Sequence, residues 1–431
     1  MKKTLLFGLF LIAISLQSQT LSHVIILNEG HYDYVNSIQT VPVTIGSYNP
    51  VTHIYTPFDT IQNARFATNV LVDGNYIYAA ADSFLIQYDK TTLQRVNMQI
   101  VRGIRKMAVW NNQLLLSRGE YLMTFNSYVQ IYDKNSLAFI YELNTSSGPQ
   151  FASENIVVKN DIAYIGINNG FDFGNETGLV GKINLLNQSY IGEIDLGPNG
   201  KNPENMMLLG NKIYTVNNRD YTTGSVSELD VINSTTNTVA LGTSSGCGAS
   251  TLGSGYVYYQ VSMDTKLTRF STTTLSNYDT ININRNIYGM AFDAINSVIY
   301  SGTTDFTTSG WMFRSDAQGT LIDSFQVGVA PGNIAFDINS GLGINSLQNE
   351  SINILQIISN PVSQTLQFIN KSASEIPAIY IHDISGKLIS VIKNVSPGKN
   401  EINISTIQGG IYFLSSSLNE AEKEIKFILI R

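Results

Sequence analysis

A single cysteine, Cys247, stands in the whole sequence. No intramolecular disulfide and no cysteine-built metal cage is available, so a large apolar core must carry the stability. Charge is sparse: Asp, Glu, Lys and Arg make up 14% of the residues, the net charge is -7, and Lys and Arg cluster nowhere. That excludes the basic footprint of a nucleic-acid-binding surface. Only four histidines occur, His23, His31, His53 and His382, and none has His-x-His or His-Glu-x-x-His spacing. Long apolar runs are also missing. Residues 5–14 form the main one, too short to cross a bilayer. With Lys2 and Lys3 before it and small or polar residues after it, this run reads as a secretory signal peptide, assigned to residues 1–19. No cysteine follows to take a lipid anchor. A secreted or outer-surface protein is expected once the peptide is removed, with no membrane span in the mature chain.

What the chain does have is Tyr (23), Phe (19) and Gly (34), the composition of a turn-rich β protein. A short apolar or tyrosine-containing segment recurs seven times: Val24-Ile25-Ile26-Leu27, Tyr76-Ile77-Tyr78, Leu114-Leu115-Leu116, Ile162-Ala163-Tyr164, Ile213-Tyr214-Thr215, Val257-Tyr258-Tyr259 and Val298-Ile299-Tyr300. The spacing is about 38 to 52 residues, irregular as in repeats that share a core and differ in their loops. Turns such as Asp73-Gly74-Asn75 precede most of these segments, with another apolar stretch before the turn, as in Asn69-Val70-Leu71-Val72. Each such pair makes a hairpin. A second hairpin follows in most units. Its turn is headed by Asp or Asn, as in the near-identical Tyr88-Asp89-Lys90-Thr91-Thr92-Leu93 and Tyr132-Asp133-Lys134-Asn135-Ser136-Leu137. The head residue's side chain caps the following amides. Four strands per unit, seven times, predict an all-β fold: a seven-bladed β-propeller over residues 20–339. Gly332-Asn333-Ile334-Ala335-Phe336-Asp337 reads as an inner strand with no blade after it, and Val24-Ile25-Ile26-Leu27 has no inner strand before it. The two ends are expected to share one blade, which leaves no free edge.

Residues 203–217, where Pro203-Glu204-Asn205 precedes Gly210-Asn211-Lys212-Ile213-Tyr214-Thr215-Val216-Asn217, resemble YVTN-type propeller repeats. Asn28-Glu29-Gly30-His31 is similar to the opening of Bacteroidetes surface propellers. After a polar stretch at 340–352, read as a linker, the pattern becomes the short strands and Gly turns of a small antiparallel β-sandwich over 353–431. Here Asn360-Pro361-Val362, His382-Asp383-Ile384-Ser385-Gly386-Lys387 and Ile407-Gln408-Gly409-Gly410-Ile411-Tyr412 closely resemble, in this order, the motifs of a type IX secretion sorting domain of type A. His382 and Ile407 depart from the Tyr and Leu common in that family. The resemblance implies export across an outer membrane by the type IX secretion machinery, which becomes the expected partner, usually with removal of the domain afterwards.

Catalytic patterns are thin. Gly242-Thr243-Ser244-Ser245-Gly246 has the spacing of a nucleophile elbow, yet no helical pattern follows it and the only downstream histidine is His382, so Ser244 reads as a turn residue. Gly170-Phe171-Asp172-Phe173-Gly174-Asn175-Glu176 offers oxygens to a hard cation, against the plainer reading of an acidic, aromatic loop. No catalytic residue, metal site or cofactor is assigned. The aromatic residues are more informative. A blade's second-to-third strand loop lies on the same face as the start of its inner strand. Five such loops carry an aromatic beside an acid: His31-Tyr32-Asp33-Tyr34, Gly119-Glu120-Tyr121, Phe171-Asp172-Phe173, Asn218-Arg219-Asp220-Tyr221, and Asp305-Phe306 with Trp311. Asn69, Asn155, Asn205 and Asn333 recur where inner strands begin, either satisfying backbone groups or ringing the channel mouth. The expected function is a secreted or surface binding protein whose small-molecule or glycan ligand lies over the central channel. Its contacts would be Tyr32, Tyr34, Tyr121, Phe171, Phe173, Arg219, Tyr221, Phe306 and Trp311, with Arg65, Arg105 and Glu204 at the mouth. Guanidinium groups there would fix an anionic or amide-bearing ligand. The resemblance to Bacteroidetes propellers adds corrinoids to the ligands to test, with the absent anchor cysteine as a departure. The alternatives are a polysaccharide lyase or glycosidase on the same scaffold, or a structural adhesin.

Overall fold

The computed structural model describes residues 19–219, 221–245, 249–339, 355–358, 360–372, 375–383, 387–416 and 425–430. Most of the expected signal peptide (residues 1–18), Asp220, Cys247 and the expected linker at 340–352 lie outside them. The chain divides into two compact units, Met1–Asn345 and Ser346–Arg431.

The first unit is a propeller of seven four-stranded antiparallel sheets. From the channel outward, blade 2 is Ala67–Asp73, Tyr76–Ala81, Phe84–Asp89 and Arg95–Ile100. Blade 3 is Ile104–Trp110, Gln113–Arg118, Ser127–Asp133 and Phe139–Asn144. Blade 4 is Ser153–Lys159, Ile162–Ile167, Leu179–Asn184 and Ser189–Asp195. Blade 5 is Pro203–Leu209, Lys212–Asn217, Ser225–Asp230 and Thr235–Ala240. Blade 6 is Ser250–Gly253, Tyr256–Gln260, Lys266–Ser271 and Ser276–Asn282. Blade 7 is Gly289–Asp293, Val298–Thr303, Trp311–Asp316 and Leu321–Gln326. Blade 1 is composite, as expected: Pro331–Asn339 is its inner strand, beside Thr20–Asn28, Val43–Asn49 and Ile54–Ile61.

The burial pattern explains why the second strands carried the readable repeat. Each is covered on both faces by neighbouring blades, so Ile77, Tyr78 and Ala79, or Leu114, Leu115 and Leu116, are all buried in succession. A strand covered on both faces reads as a continuous apolar run. The outer strands stand at the rim and remain largely exposed. Asx-type turns close the outer hairpins. Asp89 Oδ1 accepts from the amides of Thr91 and Thr92, Asp133 Oδ1 from Asn135 and Ser136, and Asn49, Asn184, Asp230 and Asp316 do the same in their blades. These turns lie on the face opposite the second-to-third strand loops.

Ring closure joins distant sequence. Ile334 and Phe336 of the closing strand pack with Val24, Ile26, Val298 and Tyr300. Lys90 Nζ pairs with buried Asp337 at 2.8 Å. Between blades 7 and 1, Tyr48 stacks on Phe325 at 3.9 Å, and Asp323 receives both Arg314, at 2.8 Å, and His53, at 2.7 Å.

The second unit packs a three-stranded sheet (Leu355–Ile357, Thr365–Asn370, Gly398–Asn403) and a four-stranded sheet (Leu388–Val395, Ile376–Asp383, Gly410–Ser416, Ile425–Leu429) around Leu366, Phe368, Ile379, Ile381, Leu414 and Phe427. Its motifs have structural roles. Asn360 Oδ1 accepts from the Ile428 amide, and Val362 exchanges backbone bonds with Ile428 and Ile430, so Asn360-Pro361-Val362 ties down the last strand. Tyr412 donates to the Gln408 carbonyl at 2.7 Å.

Candidate functional site

The second-to-third strand loops and the starts of the inner strands share one face, so residues from six blades gather at the channel mouth. Three groups of rings stand there. Tyr32 and Tyr34 meet edge-on at 4.9 Å on an inserted hairpin, His31–Asp33 with Ile38–Val41, which the sequence pattern did not reveal. Phe173 of blade 4 bridges Tyr121 of blade 3, at 6.2 Å, and Tyr221 of blade 5, at 5.7 Å. Phe306 of blade 7 packs edge-on against Tyr288 at 5.1 Å. Tyr34, Tyr121, Phe173 and Phe306 are 66%, 56%, 64% and 49% exposed. Trp311 opens the third strand of blade 7, and no ring packs against it among the described residues.

The basic residues behave differently from expectation. Arg65 binds Asp82 and Glu120, each at 2.6 Å, and Arg105 pairs with Glu154 at 2.6 Å while lying over the Phe171 ring. Both guanidiniums already hold carboxylate partners within the protein. Among the described residues, Arg219 has no ion-pair partner. It sits at the tip of the blade 5 loop with a left-handed backbone (φ 32).

Beneath the rings lies a polar belt. Glu29 follows the second strand of blade 1 and accepts a hydrogen bond from Tyr288. A Cβ added at Gly332 would stand 2.7 Å from Glu29 Oε1 and 3.1 Å from Tyr288, so a larger residue there would have to displace this carboxylate. Glu204 accepts from Asn218 at 3.2 Å, and Asn218 in turn accepts from Ser244 at 2.6 Å. Burial pushes both Glu29 and Glu204 up to about 7. Lys106 donates to the Thr68 carbonyl at 2.8 Å, and burial lowers its pKa. Asn202 is 1% exposed beside Gly170, and among the described residues its side-chain amide nitrogen and oxygen have no hydrogen-bond partner. Glu29, Lys106, Glu154, Asn202 and Tyr288 were not among the candidates. Lys106 and Glu154 occupy the inner-strand positions next to those that drew attention to Arg105 and Asn155, a signal that was available. Glu29 and Tyr288 meet only through the ring closure.

The asparagines lace neighbouring inner strands. Asn155 donates to Asn205 at 2.6 Å, Asn205 donates to Ser250, Asn69 accepts from the Met107 amide and Asn333 reaches the Ala67 carbonyl. In the acidic loop of blade 4, Asp172 accepts from Asn175 and Glu176 from the Gly174 amide, so the loop's own donors occupy its oxygens. Among the described residues no group of three or more His, Cys, Asp or Glu is placed to hold a metal ion. An open cavity of about 640 Å³ lies on the opposite face, at Pro50, Val51, Ala294, Ile295 and Asn296. Its one charged side chain, Arg314, is already bound to Asp323.

Residues 356–431 match the family model described as a secretion system C-terminal sorting domain. The C-terminal unit is therefore a type IX sorting domain, and the chain is a secreted or cell-surface protein that engages the secretion machinery. No helix among the described residues is long and apolar enough to cross a membrane. No curated protein matches the chain. Among solved structures it is similar to a hypothetical selenium-binding protein from Sulfolobus tokodaii, with a TM-score of 0.57 and 8% identity, covering 74% of this chain and 94% of that one. A putative 6-phosphogluconolactonase from Bacteroides fragilis aligns with a TM-score of 0.53 and 14% identity, covering 73% and 98%. At such identities the likeness concerns the fold alone.

Proposed function

We propose that the chain is a binding protein: residues 1–19 are removed on export, the propeller at 20–339 holds the ligand, and the unit from 353 is its secretion address. The ligand, a small molecule or glycan, lies over the channel mouth. The observation that carries this reading is the set of exposed rings from blades 1, 3, 4 and 7, joined by the half-buried Tyr221 of blade 5, grouped on one face above a half-buried polar belt. Rigid aromatics give contact area at little conformational cost, and such patches mark recognition surfaces. Titrating the purified chain with oligosaccharide and small-molecule panels, corrinoids included, tests it. A ligand whose affinity falls in Phe173→Ala and Tyr121→Ala, and is unchanged in Asp89→Ala on the other face, supports the reading. Equal losses from both faces sink it.

A second reading, a polysaccharide lyase or glycosidase, draws on Glu29 and Glu204, whose carboxyls titrate near neutrality as general acids do. New reducing ends formed by the native chain and lost in Glu204→Gln would establish it.

A further inference from the structure

We propose that the ligand is a glycan bearing a uronic acid residue, whose carboxylate seats between blades 6 and 7 on the Arg285 guanidinium beside the Trp311 ring. This rests on the mouth face being the binding face, and adds the charge and chemical class of what it binds.

Arg285 lies in the segment that joins the outer strand of blade 6, Ser276–Asn282, to the inner strand of blade 7, Gly289–Asp293. Its backbone is fixed by Gln260, which is 3% exposed: Gln260 Nε2 donates to the Arg285 carbonyl at 2.9 Å and Gln260 Oε1 accepts from the Ile287 amide at 2.6 Å. The side chain reaches blade 7, where its guanidinium carbon stands 4.0 Å from the centroid of the Phe313 ring. Among the described residues the guanidinium makes no hydrogen bond and no ion pair.

That is costly, because arginine keeps its proton in a protein and a charge drawn out of water needs a partner. Other guanidiniums of the propeller have theirs. Arg65, Arg105, Arg269 and Arg314 hold carboxylates, and Arg118 donates to two backbone carbonyls. Arg285 is half-buried, burial lowers its pKa, and no acid acts against that. Of its nitrogens only Nη1 is buried, so the edge formed by Nε and Nη2 meets solvent. Two parallel N–H groups on that edge match the two oxygens of a carboxylate.

The surroundings indicate what carries the carboxylate. Trp311 and Phe313 stand two residues apart on one strand, so their side chains share a face, roughly 7 Å apart along it. Met312 and Arg314 between and beyond them turn the other way, toward Tyr48 of blade 1. Across the strand pair, Gln326 lies opposite Trp311 and Ser324 opposite Phe313, on the same face. Trp311 is 45% exposed, Gln326 and Ser324 are exposed, and among the described residues neither of these two side chains is hydrogen-bonded. A pyranose can lay its C–H face on the indole, bond its hydroxyls to Gln326 and Ser324, and direct its carboxylate at Arg285. A bare inorganic anion would use Arg285 and leave the rest of the row idle.

Calorimetric titration of the full chain with trimers of galacturonate, glucuronate and mannuronate, each beside its methyl ester, and with sulfate tests the inference. Physiological salt is used, where the repulsion from a net charge of -7 is screened beyond about 8 Å. At least one trimer is expected to bind about tenfold to a hundredfold more tightly than its ester, the range for charge-assisted hydrogen bonds. Arg285→Gln should bring that acid down to its ester's level and should not lower the melting temperature, since the charge it removes has no partner in the protein. Trp311→Ala should weaken acid and ester alike by about tenfold or more and keep their ratio. The acid-to-ester ratio of the native chain decides the matter even should Arg285→Gln misfold. Equal binding of acid and ester, an acid preference that survives Arg285→Gln, an unaffected Trp311→Ala, or sulfate bound as tightly as the trimer overturns the inference. If a neutral oligosaccharide binds in a Phe173-dependent way and no acidic trimer binds, the uronate seat falls and the binding face stands. If nothing binds, both fall.

Discussion

A carboxylate kept in a buried belt at the expense of stability should reveal itself when its charge is removed. Glu29 stands at about 7 in the folded chain against an ordinary 4.5, chiefly through burial. Between these values the folded protein keeps a proton that the unfolded chain releases, so stability falls as pH rises through the window and is level above about pH 7. Each pKa unit corresponds to about 1.4 kcal/mol, so the ionised carboxylate costs the folded state at most about 3 kcal/mol at pH 8. Glu29 is only half-buried, so solvent screens part of this, leaving about 1–3 kcal/mol. Glutamine keeps an oxygen to accept from Tyr288 and carries no charge. Glu29→Gln is therefore expected to stabilise the propeller by about 1–3 kcal/mol at pH 8, and to change it by less than about 0.5 kcal/mol at pH 4, where the carboxyl is largely protonated in both the folded and the unfolded chain. Urea unfolding followed by tryptophan fluorescence isolates the right unit, because both tryptophans, Trp110 and Trp311, belong to the propeller. Destabilisation at pH 8, or the same shift at both pH values, would refute the reasoning. It would mean that Glu29 is held by interactions that favour its charged form.

A chain ending at residue 330 lacks the strand that pairs with Thr20–Asn28, leaving Val24 and Ile26 uncovered, and should show no cooperative fluorescence transition. Asp133→Ala should cost about 0.5–2 kcal/mol, the range for losing a side-chain cap, and leave ligand affinity on the opposite face unchanged. Phe368→Ala, fully buried in the sorting domain, should cost that unit about 3–5 kcal/mol while the propeller's transition stays in place, and cell fractionation should find the variant retained in the envelope.

The sequence disclosed what is local or repeated, and concealed what is pairwise and distant. Ile77-Tyr78 and Leu114-Leu115-Leu116 could be read because a second strand is buried on both sides whichever blade it belongs to. Asp89 and Asp133 could be read because an Asx turn is complete within four residues. Ring closure followed from counting strands, since an inner strand without a blade and a blade without an inner strand have one economical solution. The mouth was legible only as a list of residues. Tyr121, Phe173 and Tyr221 do come together, yet nothing in the three loops taken singly states that their rings touch. Arg105 looked free because the acid that engages it, Glu154, lies about fifty residues further on, one blade away, and Arg65 is held both by Asp82 of its own blade and by Glu120 of the next. Glu29 and Tyr288 are separated by nearly the whole propeller and become neighbours only when Pro331–Asn339 completes blade 1. In a closed ring the charge balance of the channel belongs to no single repeat. Two chains with the same strands and turns can therefore differ entirely in what the mouth attracts, and the sign of that attraction has to be found in the pairs that the closure makes.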